Sequence, residues 1–292
     1  MKILVTGGTG FLGRNLIKHF LHSRNFVALV TRDPKKVKKL NFCDHENLNV
    51  IDSSSLFSLK EGFKFFNPDI IIHTACCYGR KNEDDNSMFE SNYKFGVDIF
   101  NLANDNSKKV FINIGTSLER HINTYSLLKH QFVEFCKSAS EKDIKFKFIN
   151  IKLEHMYGPG DEESKFTAYI LNSCLKNVES IDLTHGNQTR DMIYIDDVIS
   201  AIQAIINNIK DLKNNEDLSL GFGVKTSIQD FVRKVAHLSG SKTKLNFGAL
   251  DYRENETMHS VADISRLKQF GWLPKYDLDK GIQDYIEKEK KL

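Results

Sequence analysis

The 292-residue sequence contains no apolar run near the ~18 residues that a membrane-crossing helix requires. That absence sets aside a helical membrane protein. No secretory leader is expected, because the opening stretch MKILVTGG is too short and too rich in glycine for one, and the expected location is the cytoplasm. Charge of one sign is scarce: 41 Lys and Arg stand against 38 Asp and Glu, scattered along the chain, so no basic face for nucleic acid is expected. The five cysteines, Cys43, Cys76, Cys77, Cys136 and Cys174, are odd in number and include no CxxC pair. They argue against a metal site or a redox pair and for reduced thiols. Internal repeats and low-complexity linkers are also lacking, so a single globular unit with one large core, or a core plus a smaller lobe, is the expected class.

What is present is alternation. Short β-branched runs recur at Ile3–Val5, Phe26–Val30, Asn49–Ile51, Asp69–His73, Val110–Ile114 and Phe146–Ile151, with helical patterns over Phe11–His22, Met88–Ala103 and Asn123–Ala139. Strands apolar on both faces belong in a parallel sheet covered by helices, and right-handed crossovers then give a doubly wound α/β fold of the Rossmann type. After Tyr157-Gly158-Pro159-Gly160 the alternation loosens, with helices expected over Phe166–Leu175, Asp197–Asn207 and Ile228–Leu238. The expected division is a dinucleotide-binding domain over 1–155, returning near 190–210, and a smaller interleaved lobe over 156–292.

The stretch Val5-Thr6-Gly7-Gly8-Thr9-Gly10-Phe11-Leu12-Gly13 follows the first strand and opens the first helix. Gly7 permits the tight turn, Gly10 lets the backbone approach a pyrophosphate, and Gly13 allows close packing of helix on strand, while Phe11 and Leu12 offer free N–H groups at the helix start. At the end of the second strand Thr31 and Arg32 precede Asp33. A guanidinium there suits a 2′-phosphate, with Lys35 and Lys36 adding charge, so NADP(H) is the expected cofactor. NAD(H) stays open, since Asp33 could hold a ribose or could instead cap the segment that begins at Pro34. Asp52, after the third strand, is a candidate for the adenine amino group or for a cap.

Tyr125 and Lys129 lie four residues apart on one predicted helix and so share a face. An ammonium near a phenol favours the phenolate, which would let Tyr125 exchange a proton while hydride moves to or from a nicotinamide. The preceding strand delivers Gly115-Thr116-Ser117 at its carboxyl end, where such sheets bind ligands, and Thr116 can hydrogen-bond a substrate oxygen.

Together the glycine turn, Thr116, the Tyr125–Lys129 pair and Tyr157-Gly158-Pro159-Gly160 resemble the extended short-chain dehydrogenase/reductase family over nearly the whole chain. The resemblance implies that Ala75 passes beside the cofactor, that Lys129 also binds the nicotinamide ribose, and that Asn92 steadies the catalytic region. It implies a nucleotide-sugar substrate, with Arg190 and Arg253 on its diphosphate and Ser117, His155 and Lys165 among the substrate contacts. Relatives that dehydrate usually carry Asp-Glu after the catalytic Thr, where this chain has Ser117 and Leu118. Net reduction of a 4-keto-6-deoxyhexose, in deoxysugar biosynthesis for surface polysaccharide, therefore stands ahead of two alternatives: a UDP-sugar 4-epimerase with tightly bound NAD, and a non-catalytic NADP(H) sensor. Relatives often pair through the helices that carry Asn92 and Tyr125, and Phe95, Ile99, Phe132 and Phe135 would then either face the partner of a homodimer or pack on their own sheet.

Overall fold

Lys2–Thr6 forms the first strand, β1, and α1 (Phe11–His22), β2 (Phe26–Thr31) and β3 (Leu48–Asp52) follow it in a computed structural model that describes residues 1–80, 82–104, 109–141 and 146–291. The chain continues through α2 (Leu56–Phe66), β4 (Ile70–His73) and α3 (Asp85–Phe89), which runs through a π-helical turn (Glu90–Lys94) into α4 (Phe95–Ala103). Then come β5 (Val110–Ile114), α5 (Thr124–Ser140), β6 (Lys147–Leu153), β7 (His155–Tyr157), α6 (Phe166–Leu175), β8 (Ser180–Leu183), β9 (Thr189–Tyr194), α7 (Ile195–Asn207) and β10 (Glu216–Leu220). The last elements are β11 (Lys225–Ser227), α8 (Ile228–Ser239), β12 (Lys244–Phe247), α9 (Ser265–Gln269) and α10 (Leu278–Glu289).

Seven strands pair in the order β10-β6-β5-β4-β1-β2-β3, and β1 through β6 run parallel wherever they pair. The order reverses between β1 and β4, and at such a switch point the loops leaving the two strands part to leave a crevice for ligand. The fully buried pattern of β4 shows why this sheet is covered on both faces. One face packs on Phe100, Phe111, Phe132, Phe146 and Phe148, with the Phe100 ring edge-on to its neighbours at 5.0–6.0 Å. Burying each such side chain contributes roughly 1.5–3 kcal/mol. Ile99 and Phe132 are fully buried in this core, and Phe95 and Phe135 pack against it. Of the two possibilities for these four residues, burial within the chain is what the fold adopts for Ile99 and Phe132.

The chain divides into two compact units, Met1–Lys152 with Lys210–Leu218, and Leu153–Ile209 with Ser219–Leu292. The return to the first unit is thus made by the segment that carries the start of β10, later than 190–210, because β9 is used inside the second unit's sheet of order β11-β9-β7. There β9 runs parallel to β7 and antiparallel to β11, while β8 and β12 form a parallel pair. Tyr157, Tyr194, Phe231 and Tyr285 fill the second core, and a Cβ at Gly281 would stand 2.1 Å from the Tyr157 hydroxyl. The Asp197 carboxylate accepts from the N–H groups of Lys275 and Tyr276 at 2.8 and 2.9 Å, which fastens the C-terminal segment to α7.

Candidate active site

At the end of β1 the chain turns with Gly7 at φ +64°, and Gly10 N–H closes the turn on the Gly7 carbonyl at 2.9 Å. A Cβ on Gly13 would stand 2.3 Å from that same carbonyl, and one on Gly7 would stand 2.8 Å from the Ala75 Cα. Only glycine permits both approaches. Gly10 caps α1 with no side-chain hydrogen bond and no acidic residue in the first turn, so the N–H groups of that turn face outward. Phe11 and Leu12, the first residues of α1, are buried. The cradle therefore fits a pyrophosphate.

The floor beneath it is tied across the switch point. Thr6 Oγ1 lies 2.9 Å from His73 Nδ1 and accepts from Ala75 N–H at 3.2 Å, while the Thr74 hydroxyl donates to the Thr6 carbonyl at 2.7 Å. Burial, helped by the Lys129 charge, keeps His73 well below its usual pKa, so the ring is neutral and structural. This network brings Ala75 against the glycine turn.

At the end of β2, Arg32 is exposed and Thr31 is buried. The Asp33 carboxylate accepts from Lys35 N–H at 3.1 Å and caps the 3-10 turn over Pro34–Lys39. Of the two roles open to Asp33, capping is the one its side chain performs. Asp52 likewise takes the N–H and hydroxyl of Ser54 at 2.8 and 3.0 Å.

Helix α5 begins with a reciprocal capping box. The Asn123 side chain accepts from Ser126 N–H at 2.8 Å, and Ser126 Oγ accepts from Asn123 N–H at 3.2 Å. Tyr125 thus stands in the first turn, where the helix dipole favours negative charge. Lys129, one turn on, is 2% exposed. Thr116, two residues past the end of β5, stands near enough to the Tyr125 phenol to pull its pKa down, so strand and helix converge on one site. Ser117 follows it in the same half-buried loop.

Electrostatics here depart from expectation. Burial pushes the Tyr125 phenol far above its ordinary value, and the nearby Cys76 thiol adds to the rise; Thr116 and the Arg80 guanidinium oppose them. Burial also lowers the Lys129 ammonium, against smaller upward pulls from Cys76 and Cys136. With the protein's own groups alone, Tyr125 keeps its proton at neutral pH rather than sitting near neutrality beside a strong ammonium. A protonated phenol is a ready proton donor. Two residues missed in the sequence sit here: the Tyr78 ring lies 5.0 Å from that of Tyr125, and Arg80 lies over Tyr78. Their only advance signal was their place in the loop after β4.

Asn92 sits fully buried in the π-helical turn, where its side chain both accepts from Cys77 N–H and donates to the Cys77 carbonyl at 2.7 Å. Turns of this kind often mark functional sites.

In the second unit, His155 is partly exposed, with Nδ1 3.7 Å from the buried Glu154 carboxylate. Lys165 pairs with the buried Asp161 at 2.9 Å. Arg190 is only 7% exposed, and its guanidinium bonds Glu256 and the carbonyls of Thr189 and Thr257. It fastens the 253–257 loop instead of presenting a free fork to a diphosphate. Arg253, on that loop, is exposed.

The sequence pattern of the NAD dependent epimerase/dehydratase family matches residues 3–221, which takes in the glycine turn, Thr116, Tyr125 and Lys129. The chain belongs to this family. It is similar to the CDP-abequose synthase of Salmonella typhimurium, with 31% identity across 98% of this chain and 97% of that protein. Among solved structures it resembles the UDP-glucose 4-epimerase of Thermotoga maritima with UDP-glucose, at a TM-score of 0.86 and 19% identity over 100% of this chain and 99% of that one. It also resembles the UDP-glucuronic acid 4-epimerase of Bacillus cereus in complex with UDP-glucuronic acid and NAD, at a TM-score of 0.84 and 21% identity over the same shares. These two likenesses bear on the fold, the doubly wound architecture expected from the strand pattern.

Proposed function

We propose that this protein reduces the C4 keto group of a nucleotide-linked 4-keto-6-deoxyhexose with NADPH. The observation that carries the reading is the identity, 31% from end to end, with a CDP-abequose synthase. Four-ketoreduction needs a proton donor beside the carbonyl, and the protonated, half-buried Tyr125 with Thr116 beside it supplies one. The dinucleotide, when bound, supplies hydride to C4. Tyr125 then passes its phenolic proton to the oxygen at C4, Thr116 orients that oxygen, and Lys129 supports the phenolate left behind and holds the nicotinamide ribose. Each turnover thus consumes one hydride and one proton and leaves an alcohol.

The exposed Arg32, with the Asp33 carboxylate engaged as a cap, favours a 2′-phosphate and hence NADPH over NADH. Gly7, Gly10, Gly13, Phe11 and Leu12 hold the pyrophosphate through backbone, beside Ala75. Arg253 serves the substrate diphosphate, with Arg190 fixing its loop, and Ser117, His155 and Lys165 contact sugar and base. The test is loss of NADPH absorbance with CDP-, dTDP- and UDP-linked 4-keto-6-deoxyglucose, run beside NADH. Oxidation with one of these supports the reading. Silence with all three, together with NAD retained through purification, would replace it by the 4-epimerase.

A further inference from the structure

The loop that leaves β4 covers Tyr125 with a two-layer stack. Tyr78 lies against Tyr125 with ring centroids 5.0 Å apart and planes tilted by 36°, and the Arg80 guanidinium stands 5.2 Å from the Tyr78 centroid. Two features fix the course of this loop. Asn92 clamps Cys77 through both of its backbone polar groups. Gly79 turns at φ +68°, with the Met88 sulfur 2.7 Å from where a Cβ would be. A guanidinium on an aromatic face is held flat and keeps its charge at any working pH.

We propose that Arg80, braced on Tyr78, is a positioning residue for proton transfer at Tyr125: its fixed positive charge on the loop side of the phenol steadies the phenolate that forms as the proton leaves. The proposal rests on Tyr125 being the proton donor. Among the described residues, Cys76 on the same loop pushes the phenol up, and Lys129 follows Tyr125 one turn along α5. A thiol carries no positive charge, and the Lys129 ammonium, lowered by burial, shares the support of the phenolate with Arg80. Arg80 is exposed, so its charge costs little to maintain, and its effect on the phenol is downward, against that of burial. Glu83, the nearby carboxylate, engages the Cys77 thiol.

The test needs no substrate. In protein labelled with ¹³C at tyrosine Cζ and saturated with NADP⁺, the resonance missing from Tyr125→Phe reports ionisation of Tyr125. Removing a nearby positive charge disfavours the phenolate, so Arg80→Gln should raise its midpoint by about one pH unit, the scale of one unit charge acting across the Tyr78 ring in a half-solvated site. Arg80→Lys should restore most of the difference, and Tyr78→Leu should fall between. An unmoved midpoint in Arg80→Gln would overturn the proposal. In turnover, Arg80→Gln should lower kcat several-fold and carry the alkaline limb of the pH profile upward by the same unit, with KM little changed. A rise in KM with an unmoved limb would make Arg80 a substrate contact and also overturn it. If no 4-keto sugar is reduced, the titration still decides the role of Arg80, so that failure belongs to the proposed reaction alone.

Discussion

Tyr125 is where burial and charge oppose each other most directly, and the balance leaves it protonated. Its replacement by Phe keeps the ring, and with it the stack on Tyr78, and removes only the proton. Tyr125→Phe should therefore cut turnover by about 10²–10⁴, the range of a general acid, while NADPH affinity measured by fluorescence titration stays within about two-fold. Turnover within ten-fold of the parent would take Tyr125 out of the chemistry. Arg32 makes a separate prediction, since Asp33 is engaged with Lys35 and leaves the guanidinium as the exposed group at the end of β2. Arg32→Ala should weaken NADPH at least ten-fold more than NADH in paired titrations, and equal losses would reduce Arg32 to a surface charge. At this scale the i, i+4 spacing of Tyr125 and Lys129 was legible because one helix sets it. The commitment of Arg190 was not, because Glu256 is 66 residues downstream and only the folded loop brings it near.

Helix α5 carries the catalytic pair, and its start decides where Tyr125 stands. The capping box satisfies the first-turn N–H of Ser126 and the N–H of Asn123 itself. Asn123→Ala should lower stability by about 1 kcal/mol, which a thermal melt would show as a fall of roughly 2–4 °C, with kcat falling more than KM rises. An unchanged melt would mean that packing alone holds the helix start. Elements with one strong local signal were readable in advance: α1 and α6 begin and end where the pattern placed them, and α5 within a residue. Helix α2 was not among the helices expected, since Phe57 and Phe65 on its outer face are 76% and 83% exposed and blur its apolar stripe. Its signals were the terminal ones, Ser55 capping Ser58 N–H and Asn67 in the left-handed region just before Pro68.

For the whole molecule, six of the seven strands of the main sheet followed from β-branched runs alternating with helices, because a parallel sheet buried on both faces demands that pattern. The seventh, β10 (EDLSL), carries too few apolar residues to announce itself and joins β6 at the sheet edge. Its place rests in part on a distant polar contact, Asn150 donating to Asp217 at 3.0 Å, which no local pattern reveals. The sheet order puts the glycine turn and the Ala75 loop side by side, and α5 sets Tyr125 against Thr116. The central claim is that this arrangement delivers hydride from NADPH to a sugar carbonyl and a proton to its oxygen. The most direct measurement is mass spectrometry of the product formed from a nucleotide-linked 4-keto-6-deoxyglucose with [4-²H]NADPH of each C4 configuration in separate reactions. The account predicts that one of the two gives a product carrying a single deuterium at C4, with one cofactor oxidised per sugar. A product without deuterium from either, or interconversion of a 4-hydroxy sugar with no cofactor consumed, would contradict it.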